Sequence, residues 1–145
     1  MSKVKVTWRG GSYGKVVAAT AVDALEKAAT MLAEHIKETI STPYPPASEV
    51  GEPPHRRSGR LHDAVRVVMI KGGFGAKVGI IEDILAPYAV ELELGTKRMG
   101  PRPFVRPALD AMMKPMAGIL GKKIRGAVSG VQVYHGIKRS GDFNR

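Results

Sequence analysis

A chain of 145 residues is long enough to bury a real core and too short for two independent ones, so one domain with appendages is expected. It has no cysteine, no apolar run near the ~18 residues of a membrane span, and no apolar stretch behind its MSKVKVTWRG start, which excludes disulfides and thiolate chemistry and predicts a soluble protein with no membrane partner. The net charge of +10 is lopsided: residues 1–96 hold 12 Lys and Arg against 11 Asp and Glu, and residues 97–145 hold 11 against 2, a field that favours an acidic partner.

Residues 3–9 alternate polar and apolar and predict a short strand, with Gly10, Gly11 and Gly14 loosening the chain after it. In residues 16–40, Val22, Leu25, Ala29, Leu32, Ile36 and Ile40 recur at intervals of three and four, the signature of one helix face. Thr20 and Asp23 have capping-box spacing and suggest a start there, with an Ala-rich stretch that can add a turn before it. Pro43, Pro45 and Pro46 stop the helix. The span 21–40 gives a rod of roughly 30 Å, which needs a sheet or another helix to cover its stripe.

Residues 41–60 carry five prolines, Gly51 and the cluster His55, Arg56, Arg57. So long an irregular segment predicts an arm that reaches a neighbouring subunit. Residues 61–70 are rich in β-branched side chains, and with the turn at Gly72, Gly73 and Gly75 and the run 77–81 they predict a β-hairpin. Residues 86–96 fit a strand or a short helix. Pro107 suits the first position of a last helix whose apolar face is Leu109, Met112, Met113, Met116, Ile119 and Leu120, kinked or split at Pro115. Beyond Gly126 the periodicity fails; residues 131–134 allow a strand and 138–145 a mobile basic tail. The domain is therefore 1–128, including the arm, followed by a basic tail at 129–145. Its fold class is α+β, a long N-terminal helix on a small antiparallel sheet with a second helix after a Pro-rich segment.

The chain is poor in catalytic motifs. His35 has no second histidine four residues away, and His55 and His62 have no ligand-spaced carboxylate, so no metal site is expected. Glycines 72, 73, 75 and 79 match neither the dinucleotide fingerprint nor the Walker loop. Glu91 and Glu93 are spaced to share one strand face, with no base or nucleophile beside them. No cofactor and no catalytic residue is assigned. Lys122, Lys123 and Arg125, with Lys97, Arg98, Arg102, Arg106 and Lys114, suit DNA phosphates or an acidic protein surface. Six per cent aromatic residues with a single Trp8 argues against base stacking.

Three segments together resemble the HK97 gp10-like family of phage proteins. The first is Arg57-Ser58-Gly59-Arg60-Leu61, the second runs through Tyr88-Ala89 to Glu93-Leu94-Gly95-Thr96, and the third is Arg102-Pro103-Phe104-Val105-Arg106-Pro107-Ala108-Leu109. Their order and spacing match across residues 16–120, while the long arm and the run after Gly126 have no clear counterpart. The resemblance implies a non-enzymatic subunit of the virion neck or upper tail, made in the host cytoplasm. Such a subunit forms a ring, a hexamer by implication, between the head connector and the tail tube or tail terminator, with DNA passing through its lumen. Physical chemistry adds that Gly95 permits a turn closed to residues with a Cβ, that Glu93 and Thr96 can bond exposed backbone groups, and that the prolines stiffen the approach to Phe104. The competing expectations are a sequence-nonspecific nucleic-acid-binding protein and, behind it, a small hydrolase or toxin.

Overall fold

The computed structural model describes residues 10–73, 75–81 and 86–133; the strand expected at 3–9 and the tail at 134–145 lie outside them. The first element is α1, Gly10–Thr39, 30 residues and roughly 45 Å long. It starts well before the expected cap. Thr20 instead donates its hydroxyl to the Val16 carbonyl at 2.9 Å, a back-bond inside the helix that leaves no capping role. The glycines at the start cost about 1 kcal/mol each against alanine, yet the helix extends through them; further along it meets the last helix, where Asp23 contacts Lys123. Buried Ala24, Ala28, Leu32, Ile36 and Ile40 recur every four residues, with Ala29 and Ala33 beside them. The expected Val22 and Leu25 are half-buried at the flank. Alanine at four of these sites lets a neighbouring helix approach closely. At the C-terminus the Ser41 hydroxyl bonds the Lys37 carbonyl at 2.5 Å, taking one acceptor that the ending helix leaves free.

Residues 60–64 form a short helix, α2 (Arg60–Ala64), where a strand was expected. Gly59, at φ 81, turns the chain sharply before it, and the run of β-branched residues starts only at Val65. The hairpin comes next as β1 (Val65–Met69) and β2 (Ala76–Ile80), antiparallel, with Val65 opposite Ile80, Val67 opposite Val78 and Met69 opposite Ala76. These pairs share the inner face, as period-two alternation requires. The hairpin tip rests on α1, since a Cβ at Gly73 would fall 2.7 Å from a Val22 methyl.

The ambiguous segment is helical: α3, Ala89–Leu94. Glu91 and Glu93 therefore point to different sides and do not form the shared face that a strand would give. Last comes α4, Val105–Val133, 29 residues. Pro107 is its third residue, still within the first turn, where a missing N–H costs nothing. Pro115 stands inside the helix without ending it. Helix also replaces the strand expected at 131–133.

Asp23 of α1 meets Lys123 of α4, while Ile36 and Ile40 share a cluster with Phe104 and Ala108, so the two long helices run antiparallel. The fold is α+β: α1 packs on the two-stranded sheet and against α4. Its core sits at the end where α1 finishes and α4 begins, with Phe104, Ile36, Ile40 and Val65 the largest fully buried side chains.

Candidate functional site

The core end is built around one carboxylate. Glu93, near the end of α3, accepts the backbone N–H groups of Phe104 (2.7 Å), Val105 (3.0 Å) and Arg106 (2.9 Å). A helix leaves its first N–H groups without internal partners and carries partial positive charge there, so one acid serves both as hydrogen-bond acceptor and as counter-charge. The bond at the entry residue fixes Phe104, which is 1% exposed.

A tight turn brings Glu93 to that place. Gly95 adopts φ 76, and a Cβ on it would meet the Pro101 nitrogen at 2.9 Å and the Met99 carbonyl oxygen at 3.0 Å. The Thr96 hydroxyl accepts from the N–H groups of Arg98 and Met99, and the Thr96 N–H donates to the Met99 carbonyl. Arg102 N–H returns to the Leu92 carbonyl at 2.7 Å. The chain thus winds back over α3 and enters α4.

Against this turn lies the Pro-rich loop. It closes on itself through an isolated parallel bridge between Pro43 and Arg56, and contains cis peptide bonds at Tyr44–Pro45 and Pro45–Pro46. His55 Nδ1 donates to the Pro46 carbonyl at 2.6 Å. The loop is also tied to the turn: Gly51 N–H bonds the Pro101 carbonyl, Arg102 Nε bonds the carbonyl of buried Ser48 at 3.1 Å, and Val50 packs over Gly100 so closely that a Cβ there would lie 2.5 Å from a methyl. The expected arm is, in the single chain, a strap folded onto its own domain. Its backbone donors find partners at home, which an outstretched segment cannot offer.

Between strap, α2 and α3 is a cleft of about 620 Å³. Its floor is apolar, from Ile40, Pro54, Leu61, Tyr88, Leu92 and Met99, and Arg56, Arg57, Arg60 and Arg102 stand around it with His55 and His62. Among the described residues no carboxylate lines it. Arg57 stacks over the Tyr44 ring at 4.6 Å, a cation–π contact that holds the guanidinium at the rim. Asp63 stands behind Gly59 near Arg56, and a hydrogen bond from His62 holds its carboxyl below the usual carboxylate range.

The segments 57–61, 88–96 and 102–109 therefore meet at one end of the molecule. Arg57, Ser58, Gly59, Leu61, Tyr88 and Arg102 line the cleft. Ala89, Phe104 and Ala108 are core residues, Glu93, Gly95 and Thr96 form the clamp and turn, and Pro103 is half-buried. Pro107 and Leu109 are exposed on the first turns of α4. Lys122, Lys123 and Arg125 are elsewhere, exposed toward the far end of α4, with Lys123 drawn to Asp23 at 3.5 Å.

Sequence reasoning does not single out Tyr44, Ser48, Pro54, Arg56 and Arg60 as site residues. The signal available for them is the density of arginine beside proline in residues 53–60, charge held on a stiff backbone. Among the described residues no cluster of three His, Asp or Glu side chains is placed to hold a metal ion, and no helix is long and apolar enough to cross a membrane. No protein-family model matches the chain, and neither a curated protein nor a solved structure matches it.

Proposed function

We propose that this chain is a structural subunit of the neck or upper tail of a tailed, siphophage-like virion, and that it acts through shape instead of catalysis. In this reading it belongs with the HK97 gp10-like proteins. Copies close into a ring, taken as a hexamer, between the head connector and the tail tube or terminator, and DNA passes through the lumen. The observation that carries the reading is the convergence of its three family-like segments. Separated by up to some fifty residues, they each set geometry at one junction: Gly59 starts α2, Glu93 and Gly95 define the turn, and Phe104 anchors α4. A rigid junction of this kind suits a subunit that must present one surface repeatedly around a ring.

Native mass measurement and particle imaging test this. The expected result is a closed ring, at the neck of the particle, with one copy number. A chain that stays monomeric and is absent from assembled particles overturns the reading. The exposed Lys122, Lys123 and Arg125 on α4 favour the second reading, a nucleic-acid-binding protein. It predicts that the free monomer binds duplex DNA with an affinity falling steeply as salt rises.

A further inference from the structure

We infer that the arginine-rimmed cleft is a docking site for a short peptide segment of a different protein, one in which acidic residues alternate with large apolar side chains. The inference rests on the ring-subunit reading only for who supplies the segment; the site itself is argued from its own chemistry.

Charge is the first argument. Arg56, Arg57, Arg60 and Arg102 share one concavity; Asp63 stands near Arg56 from behind Gly59, and none of the four forms an ion pair within 4 Å among the described residues. Like charges gathered around a partly desolvated space repel one another, so an anionic occupant is stabilised there more than on open surface. Guanidinium forks suit carboxylates in particular, because two parallel N–H groups match two oxygens.

Shape is the second. The floor of Ile40, Leu61, Tyr88, Leu92 and Met99 is apolar and recessed in a space of about 620 Å³. A phosphate backbone has nothing to place on such a floor, and a duplex is too broad and stiff to enter it. A peptide carrying Leu or Phe next to Glu or Asp fills the floor and meets the rim together. The occupant comes from a different protein. On a chain of formal charge +10, another copy has little acidic surface to offer this arginine rim, whereas an acidic neighbour is drawn to it. The cleft is also preformed, since the strap that walls it is already tied to Pro101 and Arg102, which lowers the ordering cost of binding.

The test is selection of a randomised, displayed octapeptide library on the immobilised full chain. Parallel selections use the variant Arg57→Gln/Arg60→Gln, two exposed sites whose change leaves the fold intact, as circular dichroism would verify. Enrichment of acidic residues beside Leu, Ile or Phe is expected. A synthetic winning peptide should lose roughly tenfold or more in affinity on the double variant, and similarly when its acids become amides or its apolar residues become serine. Selection of no acidic–apolar pattern, or of one indifferent to the double variant, overturns the inference. So does competition by a 24-base-pair duplex at the same site, or concentration-dependent self-association abolished by the double variant, which identify DNA or a second copy as the occupant. Peptide binding needs no particle, so this inference and the ring reading fail separately.

Discussion

The two ends of the α1–α4 pair are held by different physics. At the core end Phe104, Ile36 and Ile40 are fully buried, and one carboxylate satisfies three backbone donors. At the far end Val16, Ile124 and Val128 are exposed, and the described side-chain pairs are the surface contacts of Asp23 with Lys27 and Lys123. Burial is worth about 1.5–3 kcal/mol for each large apolar side chain, while an exposed ion pair contributes about 0–1 kcal/mol. Stability is therefore concentrated at the core end, where Phe104, Ile36 and Ile40 are buried. The far end has room to change partners without unfolding the domain.

The sharpest way to break this contrast is to empty the core end. Phe104→Ala removes an aromatic ring from a site with 1% exposure and should cost about 3–5 kcal/mol in urea unfolding. Val16→Ala, at the exposed far end, should stay within about 0.5 kcal/mol. Comparable losses at both sites would mean that the helix pair is stabilised evenly along its length.

Next in size is the clamp. Glu93→Ala leaves three N–H groups without their acceptor and removes a negative charge from a helix N-terminus, and should cost about 2 kcal/mol. Glu93→Gln keeps one acceptor oxygen and should lose about half as much. If the two variants match wild type in denaturant midpoint, water replaces the carboxylate freely and the clamp is ornamental.

These two regions also differ in how far they are legible from sequence. The stripe of α1, the hairpin and part of the last helix's face come from periodicity, because each covers a face over many residues, although Leu109 and Met113 of that expected face are exposed. Gly95, Thr96 and Phe104 stand out through turn chemistry. Sequence alone does not identify Glu93's partners, since a carboxylate near Gly95 has many local donors and only the return of the chain brings residues 104–106 to it. The start of α1 escapes because Gly10, Gly11 and Gly14 read locally as breakers, whereas the helix runs through them. The strap looks like an outward arm in sequence because proline content reports stiffness, whereas its direction depends on the bonds of Gly51 and Arg102.

Between the clamp and the surface pairs comes the turn. Gly95→Ala must hold φ 76 and fit a methyl 2.9 Å from the Pro101 nitrogen, so a loss of about 1–3 kcal/mol is expected. Gly51, at φ 89 with nothing near its missing Cβ, isolates the backbone cost alone. Gly51→Ala should lose about 1 kcal/mol, measured in the same urea series. Equal losses would mean that crowding at Pro101 is relieved by a small shift of the turn.

The smallest effect belongs to Asp23. Its carboxyl is held below the ordinary aspartate value of 3.8, first by the hydrogen bond from Lys27, with desolvation opposing that bond and the charges of Lys27 and Lys123 adding to it. A depressed acid binds its proton more weakly in the folded state than in the unfolded one. Its contribution is therefore present above the unfolded value and is lost as pH falls through the folded one. Wild type should exceed Asp23→Asn slightly at pH 6 and low salt. The gap should narrow as pH drops below about 4, and it should shrink with added salt, because the pair is exposed and screened. Thermal midpoints of both proteins across pH and salt decide this. A gap that is large, or that ignores both variables, would place a substantial part of the molecule's stability at the far end and undo the division between the two ends.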